Sequence, residues 1–337
     1  MSATQNVKNI LDGVTSDPST GVPGLILISV DKTGKSLVEH PSGTHGATTK
    51  EPMTLDTVFW IASCTKLITS IACMQLVEQG KLALDDAKLV EKIAPELKDV
   101  KVIDNGKLVA KEGGVTLRML LTHTAGFGYS FFDARLRDFG RFIGYDEFMC
   151  EGDVKHAAGE PTCICGSGDA GVLAKRVSGL KLNSYLKKYI LEPLSLKNMN
   201  VFPSKEMKAQ LASMHQRAND SSVEERDYLC RRPLTAETEE EQARIFNPGG
   251  GGCFAKLIEY CRKLSTPSNR TQAMPPSDYF PEILATLLND GTFPTAGAKI
   301  LSPSTIATVW ENRIPGQPNF ARGRPSSAKP ELSNSTP

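Results

Sequence analysis

The sequence predicts a mixed α/β (α+β) fold, and three observations predict it. Residues 24–39 carry a β-hairpin pattern, residues 64–79 carry an apolar helix pattern, and further helix patterns recur through the rest of the chain. Taken in order, residues 5–14 have the pattern of a short amphipathic helix. Gly24-Leu25-Ile26-Leu27-Ile28-Ser29-Val30 is apolar and rich in β-branched side chains, Asp31-Lys32-Thr33-Gly34 is turn chemistry, and residues 35–39 return as a second strand. Val58-Phe59-Trp60-Ile61-Ala62 then leads into Ser63. From 64 to 79, Leu67, Ile68, Ile71, Met74, Leu76 and Val77 leave little polar face, so this helix is expected to be central and buried. Gly80 supplies its C-terminal stop.

Residues 82–97 read as a loop and a short helix ending near Pro95. Residues 115–121 read as another helix, ended by Thr122-His123-Thr124-Ala125-Gly126. One or two helices fall within 173–201, and 237–241 is an acidic, exposed stretch. Asn247-Pro248-Gly249-Gly250-Gly251-Gly252-Cys253 is a glycine-rich loop, with a helix expected over 254–264. Residues 262–282 are rich in Pro, Ser and Thr, a helix resumes at 283–289, and the chain from 316 onward is again Pro- and Ser-rich.

Composition narrows the function classes. Lys plus Arg number 39 and Asp plus Glu 38, a formal charge of +1, which argues against a dedicated binder of nucleic acid or anionic membrane. A chain of 337 residues, 40% hydrophobic and 23% charged, can bury a core, and its length favours about two domains of roughly 150 residues. The first residues lack the apolar core of a signal peptide, and no run approaches the roughly 18–20 apolar residues of a membrane span. The expected location is therefore cytoplasmic. Its eight cysteines are expected to be free thiols, with Cys73, Cys253 and Cys261 acting as small buried hydrophobes.

The sharpest chemical feature is Ser63-Cys64-Thr65-Lys66. A serine at the first turn of a buried helix and a lysine three residues on share one face. A nucleophile and its base need that spacing, with the lysine partly desolvated so that it can accept the serine proton. The start of the helix also places positive dipole near a developing oxyanion. Alone, S-x-x-K is weak, since its bland reading is an N-cap serine followed by a surface lysine. Here the apolar helix argues against a freely solvated Lys66.

The flanks carry the argument further. Phe59-Trp60-Ile61-Ala62-Ser63-Cys64-Thr65-Lys66, residues 74–82 (MQLVEQGKL), residues 117–128 (LRMLLTHTAGFG), Leu191-Glu192-Pro193-Leu194 and residues 249–255 together resemble the serine β-lactamase and penicillin-binding-protein superfamily. Within it the chain is most similar to the fungal polyketide transesterases, the lovastatin acyltransferase group. The resemblance implies an antiparallel sheet flanked by helices, a mostly helical second lobe and a cleft between them. On that pattern residues 1–80 and roughly 245–337 would form the α/β lobe, and 81–244 the helical one. It implies that Ser63 forms an acyl-enzyme, with Lys66 as general base and the Ser63 backbone N–H as half of the oxyanion hole. It implies no cofactor, an acyl thioester donor on a carrier protein or coenzyme A, and a small-molecule acyl acceptor with a free hydroxyl. Water as acceptor would make the same site an esterase or β-lactamase-like hydrolase.

Three departures from the family pattern stand in the sequence. Cys165 occupies the position where the family places a catalytic tyrosine, and Tyr129 and Tyr145 lie near it in sequence but outside that context. Residues 262–282 interrupt what reads as one helix running from Tyr260-Cys261 to Ile283-Leu284, either as a surface loop or as a retained non-coding segment. The family's third motif, a K-T-G or H-T-G strand near the C-terminus, has no counterpart; Lys32-Thr33-Gly34 precedes Ser63 and is hairpin turn chemistry. The sheet is therefore expected to lack its C-terminal strands and keep only its N-terminal hairpin, with poor folding or poor activity as the consequence. A degenerate, non-catalytic homologue is the competing expectation. Cys150, His156, Cys163 and Cys165 do not have zinc-knuckle spacing, so no metal is expected. The glycine-rich loop lacks the Lys-Ser/Thr of a phosphate cradle and reads as a close backbone turn. His123 reads as a structural turn residue.

Overall fold

The structure is a computed structural model that describes residues 2–19, 21–31, 35–104, 107–129, 133–136, 138, 166–263, 280–292, 297–313 and 315. In chain order its main elements begin with α1 (Ala3–Val14), β1 (Gly24–Val30), β2 (Ser36–Gly43), β3 (Val58–Trp60), α2 (Thr65–Glu78) and α3 (Ala87–Ile93). These are followed by β4 (Lys101–Asp104), β5 (Lys107–Ala110), α4 (Leu117–Leu121), α5 (Gly166–Ser178), α6 (Leu182–Leu186), β6 (Met199–Asn200) and α7 (Lys205–Ala209). Next come β7 (Met214–Arg217), β8 (Val223–Arg226), α8 (Arg232–Thr235), α9 (Glu239–Arg244), β9 (Phe254–Lys256) and α10 (Leu257–Cys261). The mixed α/β class read from the sequence is the class observed. Among the described residues no helix is long and apolar enough to cross a membrane.

The chain forms two compact units, one drawn from residues 1–61, 187–234 and 253–306, the other from 62–186, 235–252 and 307–337. In the first unit β1 and β2 pair antiparallel, with Gly24 opposite Gly43. Gly43 has φ +79, and a Cβ there would sit 2.3 Å from the Pro23 carbonyl oxygen, so the residue must be glycine. The hairpin is not left bare, since α1 packs on β2 and α10 on β1. Asp12 of α1 accepts a 2.7 Å hydrogen bond from Ser42 Oγ and lies 2.6 Å from His40 Nε2, while Thr15 and Ser42 share a 2.6 Å hydroxyl contact. The Ser42 hydrogen bond, then His40, hold the Asp12 carboxyl below its ordinary range.

A three-stranded antiparallel sheet, ordered β3–β9–β6, stands in the same unit. It is separate from the β1–β2 sheet, which among the described residues consists of the N-terminal hairpin alone, as expected. The helix expected over 254–264 is corrected: Phe254 pairs with Trp60 on one side and Asn200 on the other, Ala255 with Phe59 and Met199, and the helix starts only at Leu257. Ladder pairing on both edges and complete burial of Phe254 and Ala255 outweigh the local helical pattern. Phe254 packs with Val58 and Met207 in a core cluster that Trp60, Leu211 and Leu234 flank. Beyond α10, Arg262–Lys263 pairs with Phe280–Glu282, and a helix resumes at Ile283–Leu288. Residues 264–279, most of the linker-like stretch, lie outside the described residues.

In the second unit α2 is buried along Ile68, Ile71, Ala72, Cys73, Met74 and Leu76, and contacts α5 and α6. Gly80, with φ +69, follows its C-cap as the sequence implied. Cys73 is fully buried, and burial pushes its thiol up to about 12, consistent with a packing role; Cys253 is also buried, while the side chain of Cys261 lies outside the described residues. The β4–β5 hairpin, with Val102 opposite Val109, was not anticipated, nor was β7–β8.

Phe254→Ala is expected to cost about 3–5 kcal/mol through the cavity it leaves. Leu37→Ala, at a half-exposed site, is expected to stay within about 0.5 kcal/mol of the parent. Urea midpoints of the two variants check the contrast.

Candidate active site

Ser63, Lys66, Thr69, His123, Tyr129 and Gly250 all lie in the second unit. β3 is followed by a single 3-10 turn over Ala62–Cys64, and α2 begins at Thr65. Ser63 is thus in the turn before α2, while Cys64 takes the N-cap position and makes no side-chain capping bond. Ala62 has φ +42, a left-handed conformation that costs a non-glycine residue about 1–2 kcal/mol. Directly before Ser63, this strained residue turns the chain so that the Ser63 side chain is exposed.

One helical turn on, Lys66 is half-buried. Its Nζ donates to Ser63 Oγ at 2.9 Å and to the Gly250 carbonyl oxygen at 2.5 Å. The two residues that the sequence singled out are therefore brought together. The amine is held in place rather than loose in solvent, and the hydroxyl is accessible rather than walled off. A protonated Lys66 donates to both oxygens. A neutral one can keep one N–H on Gly250 and turn its lone pair to the Ser63 hydroxyl proton. The same positions therefore serve both ends of a proton transfer.

The glycine-rich loop fixes the second acceptor. Thr69, buried one turn below Lys66, donates from Oγ1 to the Gly249 carbonyl at 2.8 Å. The N–H groups of Gly251 and Gly252 both donate to the Pro248 carbonyl, at 3.2 and 3.0 Å. A Cβ on Gly252 would lie 2.7 Å from the Pro248 ring, so the turn closes only around glycine there. The close-turn reading of this loop is correct in kind. Sequence reasoning missed that its carbonyls at 249 and 250 bind α2, because that contact joins residues 184 positions apart.

The loop after α4 brings two more groups to Lys66. The Tyr129 ring centroid is 5.8 Å from Lys66 Nζ. His123, half-buried with φ +58, does turn the chain as expected, and it also feels the lysine. Burial first, and the Lys66 charge second, hold its imidazole below the ordinary 6.5. The readings placed on Lys32-Thr33-Gly34, Tyr145, Cys150, His156, Cys163 and Cys165 fall outside the described residues. Among the described residues no group of three or more His, Cys, Asp or Glu side chains could hold a metal ion.

His123 gives a direct check on this electrostatic picture. Between its folded value and 6.5 the unfolded chain binds a proton that the native state refuses, so stability falls as pH drops through that window. A proton-NMR titration of His123 is expected to have its midpoint below 6.5. Lys66→Met should move it upward but not fully back, because burial is the larger cause. An unchanged midpoint would contradict the proximity of the two groups.

A beta-lactamase family model matches residues 4–279. Over an alignment of 355 residues the chain is 24% identical to acyltransferase mokF of Monascus pilosus, covering 99% of this chain and 78% of that protein. It is 30% identical over 200 residues to monacolin J acid methylbutanoyltransferase of Aspergillus terreus, covering 54% of this chain and 48% of the relative. The match thus spans about half the length of that enzyme. Among solved structures, a simvastatin synthase mutant from Aspergillus terreus superposes with a TM-score of 0.69 at 23% identity, over 96% of this chain and 73% of the other. That likeness is one of fold.

Proposed function

Since the chain belongs to the beta-lactamase family, we propose that it is a serine acyltransferase that moves an acyl group from a thioester to a hydroxyl of a small secondary metabolite. The observation that carries this reading is the 2.9 Å contact between Lys66 Nζ and the exposed Ser63 hydroxyl. The names of the two fungal relatives, an acyltransferase and a methylbutanoyltransferase, support transfer as the reaction class.

In the first half-reaction the Ser63 O–H bond breaks and its proton passes to the Lys66 amine. The oxygen's electron pair attacks the thioester carbonyl carbon. In this reading the backbone N–H of Ser63, just before α2, helps to stabilise the negative charge that develops. Collapse expels the thiol, which takes the proton back from Lys66, and leaves an ester on Ser63. In the second half-reaction an acceptor hydroxyl gives its proton to Lys66 and its oxygen attacks that ester; the bond from the acyl carbon to Ser63 Oγ breaks, Ser63 takes the proton back from Lys66, and the new ester leaves. The donor in this reading is an acyl group on a carrier protein or coenzyme A, and the acceptor an alcohol on an apolar product. Whether alcohol or water wins is set by how well the acceptor displaces water at Ser63.

Intact-mass spectrometry after mixing with a butyryl thioester tests the reading. The expected result is one acyl adduct, mapped to Ser63 and lost in Ser63→Ala. Lys66→Ala is expected to slow its formation by about 10²–10⁴-fold. Release of the adduct by an added alcohol marks a transferase, and release by water alone marks an esterase. No adduct in the parent protein marks a binding homologue and overturns the proposal.

A further inference from the structure

The acyl-enzyme steps above give Tyr129 no part. It lies outside the context of the family's tyrosine, yet its ring is within 5.8 Å of Lys66 Nζ. We propose that Tyr129 is a positioning residue that acts through Lys66, its aromatic face stabilising the ammonium that forms when Lys66 takes the Ser63 proton. This rests on the acyl-enzyme reading above and adds to it the group that supports the base.

Charge bookkeeping at the amine motivates the assignment. When the Ser63 proton arrives, Nζ becomes a full cation at a half-buried position. Its described surroundings then decide how stable that cation is. Ser63 Oγ has become the attacking oxygen, so one hydrogen-bond acceptor is being consumed by bond formation. The Gly250 carbonyl keeps accepting at 2.5 Å. His123, from the same loop as Tyr129, is held toward its neutral form by burial and by the lysine itself, so it adds no competing charge at neutral pH. The negative face of an aromatic ring within about 6 Å of an ammonium attracts it, more strongly as water is excluded. An ionised carboxylate would hold the proton so tightly that its return to the leaving thiol would suffer. A ring supports the cation without that penalty. The ring also narrows the arc that the flexible four-carbon stem can sweep, which keeps Nζ between Ser63 and Gly250.

The ring and the phenol hydroxyl make different predictions, so Tyr129→Phe, Tyr129→Leu and Tyr129→Trp separate them. Two readouts are used: the pH dependence of single-turnover acylation by a butyryl thioester, and a carbon-13 NMR titration of the Lys66 side chain. Removing the ring in Tyr129→Leu is expected to slow acylation about 3- to 20-fold on the alkaline plateau and to move the Lys66 titration to lower pH by about half a unit or more. Tyr129→Phe and Tyr129→Trp should retain both within about twofold and a few tenths of a unit, since each keeps an aromatic face. A side chain that merely fills space would lower the plateau in Tyr129→Leu without moving the titration.

Equal losses in Tyr129→Phe and Tyr129→Leu would overturn the proposal in favour of the hydroxyl. A Tyr129→Leu protein that matches the parent in both readouts would overturn it outright. If Tyr129→Leu does not fold, Tyr129→Phe decides, because a shifted Lys66 titration there contradicts a role for the ring. Parent protein that forms no Ser63 adduct sinks the acyl-enzyme reading alone. The NMR titration then still shows whether the ring supports the ammonium.

Discussion

A single amine, hydrogen-bonded at once to a serine hydroxyl and to a main-chain carbonyl, is the constraint that the rest of the site serves. Lys66 could meet its hydrogen-bonding needs in water if the first turn of α2 were exposed. Burial of the helix below it, through Ile68, Thr69, Ile71 and Ala72, holds that turn within the unit. The Gly250 carbonyl then replaces water on one side of Nζ, and the Ser63 hydroxyl lies on another. A lysine so placed loses conformational freedom before any substrate arrives, which is the pre-organisation that a proton-transfer step needs.

The local backbone follows from that constraint. Ala62 accepts an unfavourable φ so that Ser63 can leave the 3-10 turn toward solvent while Lys66 stays in hydrogen-bonding reach. The glycine-rich loop has no side chains at 249–252 to hold it off, so its carbonyls come directly onto α2, where Thr69 and Lys66 bind successive ones. Backbone strain at Ala62 and the close approach of the 249–252 loop thus meet at one candidate pair.

How much of this was legible in the sequence depended on the range of the interactions involved. The Ser63–Lys66 pair was legible because it spans one helical turn, and helix geometry alone places the two side chains together. The strand β1, the buried α2 and the Gly80 stop were legible for the same local reason. Phe254–Lys256 was not, since its conformation is decided by strands contributed from positions 58–60 and 199–200. The β4–β5 hairpin carried a readable signal, Asn105-Gly106 between two short apolar runs. Tyr129 and the Gly250 carbonyl left no sequence signature as partners of Lys66. Only the tertiary fold brings a loop tyrosine and a glycine turn to the same amine.

The central claim is that Ser63 is activated by Lys66, and reaction with an alkyl fluorophosphonate tests it without assuming any natural substrate. The account predicts a single phosphonylated peptide containing Ser63, formed at a rate that rises with pH and collapses in Lys66→Met. Labelling at another residue, or labelling of Ser63 at the same rate with Lys66 removed, would contradict it.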